Sequence, residues 1–176
     1  MKRLREKLFG GAKRRAALEP AYAAIVAHGR DPGWYRHGGV PDTTDGRFDM
    51  LAAILALVLI RLEAEGERHA EASVLLTELF IDDMDGQLRQ SGFGDVVVGK
   101  RVGKLIGALG GRIGAYREAF SGNDTLREAM ARNLHRGVEP EAEAIDYAEK
   151  RLQAFHDALA AQDAERCLAG ELPPLA

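Results

Sequence analysis

The feature that most constrains this chain is the run Met50 to Ile60, MLAAILALVLI, eleven apolar residues without a polar side chain, closed by Arg61. A membrane-crossing helix needs about 20 such residues, so the run is too short to span a bilayer. Wound as a helix it is hydrophobic on every side, and a helix of that kind must be enclosed by other elements. The rest of the chain therefore has to wrap this segment. With 176 residues, 46% of them hydrophobic and 29% charged, it is long enough to do so as one soluble globular domain.

What surrounds the run also reads as helix. A first helix spans about Glu19 to His28, with Pro20 in its first turn, where the missing N–H costs nothing. His28 to Asp45 reads as a loop rich in Gly, Pro and aromatic residues, and Asp45 as the cap of the core helix, whose body runs from Arg47 to Glu65. A third helix, Glu67 to Gln90, places Ala72, Leu76, Leu79, Phe80 and Met84 on one face. A fourth, Val96 to Ala119, repeats Val98, Val102, Leu105, Leu109, Ile113 and Tyr116 at three- and four-residue steps. Thr125 with Glu128 forms a capping box for a short helix ending near Arg136. Pro140 opens a last helix buried through Ile145, Ala148, Leu152, Phe155 and Leu159 and ended by Gly170, Pro173 and Pro174. The expectation is an all-α, compact bundle of six or seven helices, a single domain over 18–176 preceded by a basic segment, 1–17.

That segment carries Lys2, Arg3, Arg5, Lys7, Lys13, Arg14 and Arg15 against Glu6, a net +6 in a chain whose overall charge is −3. Each cation near an anionic membrane contributes on the order of 1 kcal/mol, and Leu4, Leu8 and Phe9 add a small apolar side. Membrane docking or RNA contact stands beside the plainer reading of a solvated terminus. The segment has no long apolar core, so it is not a secretory signal. The single cysteine, Cys167, excludes an internal disulfide and reads as a small apolar side chain in a reducing compartment.

The densest chemistry lies between Ile81 and Lys104, where Asp82, Asp83 and Asp85 are answered by Lys100, Arg101 and Lys104 after a glycine-marked break. At about 100° per residue, Asp82 and Asp85 fall on the polar side of the third helix, whereas Asp83 lands among Leu76, Leu79 and Phe80. A buried carboxylate must be paired, and Lys100 and Lys104 are the expected partners in a structural clasp. Asp85 and Arg89 make an i, i+4 pair contributing roughly 0.3 kcal/mol. A metal site would need converging carboxylates without cations close by, and catalysis would need a nucleophile or a His-rich motif. His28, His37, His69, His135 and His156 are scattered and read as surface side chains. Neither metal nor cofactor is expected, and the chain is not read as an enzyme.

The fourth helix also repeats Gly99, Gly103, Gly107 and Gly111 every fourth residue, with Gly110 and Gly114 in the same spacing. Each glycine inside a helix costs about 1 kcal/mol against alanine. The favoured reading is close packing within the bundle, against Ala52, Ala53 and Ala56; the other is a groove open to a client's hydrophobic helix.

Two stretches resemble the ubiquinol-cytochrome c chaperone family. Gly39 to Met50, GVPDTTDGRFDM, leads into the apolar helix that closes with LIRL at Leu59 to Leu62, and looks like the start of that family's domain. Phe80 to Lys104, FIDDMDGQLRQSGFGDVVVGKRVGK, is similar to its most characteristic segment, and Tyr116, Arg117 and Ala119 also fit, so the resemblance covers roughly 30–120. Gln90 stands where the family usually has Glu, and Ile54 where relatives often carry His, which argues against chemistry at those positions.

The resemblance implies a helical, non-enzymatic assembly factor for the cytochrome bc1 complex, acting on newly made cytochrome b at the membrane. In mitochondria such proteins work with a small partner near the ribosome exit. This chain shows no obvious targeting extension and reads as a compact bacterial member, which leaves partner and ribosome contacts open. A cytoplasmic protein, peripheral on the inner membrane and not bound to DNA, is expected. On this reading the basic segment docks on the anionic membrane, and Trp34, Tyr35, Asp82, Asp85 and Arg89 contact the client, with Trp34 and Tyr35 as interface anchors or as a plug over the core. The alternative is a small enzyme or ligand-binding protein using Asp82, Asp83, Asp85, Lys100 and Lys104 around an enclosed pocket.

Overall fold

The computed structural model describes residues 11–90, 95–136 and 140–175, the stretch 95–102 by its backbone alone. Among the described residues the protein is all helix and connecting turn. Residues 11–17 form α1, followed by α2 (Glu19–Gly29), α3 (Pro32–Arg36) and α4 (Thr44–Glu63). A 3₁₀ turn, Gly66–His69, leads into α5 (Ala70–Gln90), then α6 (Asp95–Phe120), α7 (Leu126–Asn133), α8 (Ala142–Ala161) and α9 (Ala164–Leu168).

The apolar run is the axis of this bundle. Met50 through Leu59 are all buried, and α4 packs against α2, α5, α6, α8 and α9. Enclosure on that scale is what a helix without a polar face requires. Arg61, the residue that ends the run, also fastens the far side of the bundle. Its guanidinium donates to the carbonyls of Leu159 at 2.9 Å and Gln162 at 2.8 Å, so a cation meets the C-terminal end of α8, where unpaired carbonyls collect.

The other end of α4 is set by its entry turn. Thr43, in extended conformation, accepts the Gly46 N–H through its side chain at 3.1 Å, so Thr43 and not Asp45 is the cap. Asp45 lies within the first turn. The chain folds so tightly here that a Cβ on Gly46 would lie 2.0 Å from the Pro41 carbonyl oxygen. Only glycine fits that position.

Three other boundaries differ from expectation for local reasons. The stretch read as loop contains α3, because Asp31 accepts the Gly33 N–H at 2.8 Å and Pro32 occupies the first helical position. The 3₁₀ turn takes up the residues expected to begin the third helix. The last helix stops at Ala161, and Asp163 caps a separate α9 through the Glu165 N–H at 3.0 Å. Cys167 on α9 is buried, as its reading as an apolar side chain requires.

A carboxylate is sealed inside the bundle. Asp49 is fully buried at the start of the apolar run, and one oxygen accepts from Arg112 of α6. The other accepts from Arg136 Nε at 2.5 Å, in the turn after α7. Arg136 also reaches Asp45 at 3.3 Å, and the Arg112 guanidinium lies over the Phe48 ring at 5.3 Å. Burial pushes the Asp49 carboxyl up, while the two guanidiniums act in the opposite direction. Arg136 sits in the left-handed region at φ 52°, a conformation costing a non-glycine residue about 1–2 kcal/mol. That backbone delivers its side chain to the buried carboxylate.

Removing one partner of such a group leaves a buried charge uncompensated, at about 3–5 kcal/mol, whereas replacing both by apolar residues is far cheaper. Asp49→Leu should lower the free energy of unfolding by that amount in a urea titration. The double variant Asp49→Leu/Arg112→Met should recover most of it. Strict additivity of Asp49→Leu and Arg112→Met would show that the two charges are not coupled.

Candidate functional site

The paired helices α5 and α6 carry most of the residues in question, and their core faces explain their placement. Leu76, Phe80 and Met84 of α5, and Leu109, Arg112 and Tyr116 of α6, are buried against the bundle. The remaining faces point outward or toward α1 and α2.

On α5 the acidic residues separate by helical phase. Asp83 is half-buried and accepts from the Tyr22 hydroxyl of α2 at 2.8 Å and from Gln87 Nε2 at 3.0 Å. Burial and the neighbouring carboxylate push the Tyr22 phenol pKa well up, so the hydroxyl stays a donor. The clasp through Asp83 therefore runs to α2. Lys104 is exposed and makes no ion pair with Asp83, and the Lys100 side chain lies outside the described residues. A neutral phenol suffices because Asp83 keeps part of its surface in water.

Asp82 and Asp85 face outward, as their phase demands. Asp85 pairs with Arg89 Nε at 2.5 Å along the helix. Asp82 is taken by Arg15, and Glu71 of the same helix by Arg14 at 2.8 Å. Two of the residues expected to dock on membrane, Arg14 and Arg15, thus hold α1 against α5. Lys13 is exposed, and Lys2, Arg3, Arg5 and Lys7 lie outside the described residues.

Trp34 is fully buried; its indole Nε1 donates to the His28 carbonyl at 2.9 Å, and the Arg151 guanidinium lies over the ring at 4.6 Å. Arg151 also pairs with Asp31 at 2.7 Å, which holds the Asp31 carboxyl below its ordinary range. A Trp34 with no accessible surface is no interface anchor; it is the plug. Tyr35 is half-buried, its hydroxyl donating to the Gly29 carbonyl at 2.6 Å. Two histidines expected at the surface are buried, His69 against Glu65 at 2.9 Å and His135 against the Gly38 carbonyl at 3.2 Å.

The glycine row departs most from expectation. Gly103, Gly107, Gly110, Gly111 and Gly114 lie on the side of α6 opposite the core, and a Cβ at any of them would meet no atom within 4 Å among the described residues. The row does not pack on Ala52, Ala53 and Ala56. Ile106, beside it, is 44% exposed. Sequence phase pointed here: Leu105, Leu109, Arg112 and Tyr116 recur at three- and four-residue steps on one side, leaving the glycines on the other. The same phase places Arg112 on a buried stripe, the signal for the Asp49 pair that charge counting alone passes over.

Among the described residues no cluster of three His, Cys, Asp or Glu side chains could hold a metal ion, and no helix is long and apolar enough to cross a membrane. The family model described as ubiquinol-cytochrome C chaperone matches residues 36–174, nearly the whole helical domain. The chain belongs to the ubiquinol-cytochrome c chaperone family. The match extends beyond the resemblance carried by roughly 30–120 and takes in α8 and α9. Among solved structures, the crystal structure of the Cbp3 homolog from Brucella abortus is similar to this chain. Identity is 32% and the TM-score 0.77, over 94% of this chain and 93% of that one. No curated protein matches.

The segment Phe80 to Lys104, which carries the resemblance, lies on α5 and the start of α6, with residues 91–94 outside the described residues, and in it Asp83 has a structural bond and Asp82 and Asp85 have exposed ion pairs. Asp83→Ala and Tyr22→Phe should each lower stability by about 1–2 kcal/mol, the cost of a partly buried hydrogen bond to a charged group. Asp82→Ala and Asp85→Ala should change it by less than about 0.5 kcal/mol. Equal melting temperatures for all four variants would refute this division.

Proposed function

We propose that this protein is a non-enzymatic chaperone of cytochrome bc1 complex assembly that holds an apolar helix of newly made cytochrome b against α6. Family membership supports the assembly role. The observation that carries the client surface is the uncovered glycine face of α6. Five glycines in a helix interior, each costing about 1 kcal/mol against alanine, are maintained where nothing in the described chain packs on them. Such a face lets another helix approach to backbone distance, the geometry by which apolar helices associate closely. Asp82, Asp85 and Arg89 on α5 supply a polar edge for the client's flanks, and Arg15 must yield Asp82 before that carboxylate can serve it.

In this reading the basic residues Lys2, Arg3, Arg5 and Lys7 face the anionic inner membrane surface, and the protein is cytoplasmic and peripheral. Arg14 and Arg15 fasten that segment to the client-binding helix. The enzyme or ligand-binding alternative has less support. Cavities of about 260, 520 and 190 Å³ are lined by other residues, and Asp82, Asp83, Asp85 and Lys104 line none of them.

A pull-down of the tagged protein from its native membranes should bring cytochrome b with it. Gly103→Ala/Gly107→Ala/Gly111→Ala should raise the melting temperature, since added methyl groups meet open space and each substitution contributes up to about 1 kcal/mol. Gly103→Leu/Gly107→Leu should leave the fold intact yet sharply reduce recovery of cytochrome b. Undiminished recovery with a folded Leu variant would place the client elsewhere.

A further inference from the structure

Away from α5 and α6 the surface holds a concavity with an uneven charge balance. Arg30 follows α2, Arg36 closes α3 and Arg47 sits in the first turn of α4. With Pro32, Tyr35 and Asp42 they line a cavity of about 260 Å³. Three guanidiniums against one carboxylate leave a net charge of +2. The carboxylate is engaged, since Asp42 accepts from Arg47 Nε at 2.7 Å. Arg30 and Arg36 have neither an ion pair nor a side-chain hydrogen bond among the described residues.

Most arginines elsewhere on this molecule are balanced. Arg14 faces Glu71, Arg117 faces Glu63, Arg132 faces Asp124 and Arg166 faces Glu171. Gathering like charges in one concave site costs free energy through mutual repulsion and concentrates a positive field there. The site's wall is also held in place. Tyr35 is tied to the Gly29 carbonyl, and burial pushes its pKa up to about 12, so it adds no negative charge. Arg47 lies over its ring at 6.0 Å. Just before Pro32, Asp31 is fixed by Arg151 and by the Gly33 N–H.

We propose that the cavity formed by Arg30, Arg36 and Arg47 binds a phosphate group, either free phosphate or the terminal phosphate of a phosphomonoester lipid headgroup. Guanidinium forks match phosphate oxygens in bidentate geometry, where lysine offers only a point charge. A phosphomonoester carries about −1.5 to −2 at neutral pH, which balances the site, whereas a single carboxylate would leave it positive. Phosphate oxygens would give Arg30 and Arg36 the acceptors that the described chain does not provide.

The test uses the full chain at fixed ionic strength. Calorimetric titration with inorganic phosphate reads the free anion, and sedimentation with phosphatidylcholine vesicles with and without phosphatidic acid reads the lipid. Binding in the first arm identifies a soluble ligand, and binding in the second alone, if it survives deletion of residues 1–10 and is weakened by Arg30→Gln/Arg36→Gln, identifies the headgroup. Arg30→Gln/Arg36→Gln should weaken whichever is bound by about tenfold or more, and Arg36→Gln alone by less. The charge-matched control Lys150→Gln/Arg166→Gln should bind as the wild type does. Deleting residues 1–10 should leave the phosphate titration unchanged, which separates this site from the basic segment. A wild-type protein that binds neither phosphate nor phosphatidic acid vesicles, or an Arg30→Gln/Arg36→Gln variant that binds as tightly as wild type, overturns the proposal.

Discussion

Asp49, sealed at the start of the apolar helix and held by Arg112 and Arg136, is the interaction on which the arrangement of the other elements depends. Apolar burial is non-directional, so the packing of Leu105, Leu109 and Ile113 fixes the rotation of α6 about its own axis less sharply than a buried ion pair does. A buried carboxylate with a required partner removes that freedom, since an uncompensated charge costs several kcal/mol. Once Arg112 is directed inward, the far side of α6 must face out, and that side is glycine. The core ion pair and the exposed glycine face are thus two consequences of one helical phase. Arg136 ties the turn after α7 to the same point at the expense of a left-handed backbone conformation.

The periphery uses a different device. Asp31 with Arg151 over the Trp34 ring, Asp83 with the Tyr22 hydroxyl, and Arg61 on the end of α8 each peg one helix to another through a polar contact partly open to water. Such contacts contribute on the order of 1 kcal/mol each, so they align elements without dominating stability. The pairs of Arg14 and Arg15 with Glu71 and Asp82 are weaker still, because exposed ion pairs contribute about 0–1 kcal/mol. A contact of that strength can be exchanged for a partner's charges, which is what the proposed client surface calls for. The glycine face fits the same proposal: it forgoes helix stability on a side of α6 that nothing among the described residues covers.

The bundle itself was legible because apolar periodicity reports directly on burial. The stripes on α5, α6 and α8 follow from residue spacing alone, as does the enclosure of Met50 to Ile60. The candidate surface was less so. Phase showed that Asp83 turns inward and that Asp82 and Asp85 do not, but it could not say that Tyr22, some sixty residues earlier, would meet Asp83 in place of Lys104. Trp34 and the glycine row were each open to two readings for the same reason. A buried plug and an exposed anchor have identical residues, and a glycine row inside a bundle looks like one outside it.

The sequence by itself determined the all-helical class, the central helix, the separation of the acidic residues on α5 and the family resemblance carried by its most specific segment. These depend on local spacing, and helical geometry converts spacing into faces. Only the tertiary structure decided which face met which neighbour: Asp49 with Arg112 and Arg136, Asp82 with Arg15, the glycines with open space, and three arginines around one cavity. Those pairings join residues far apart in the chain, and no local periodicity encodes the partner across such a distance.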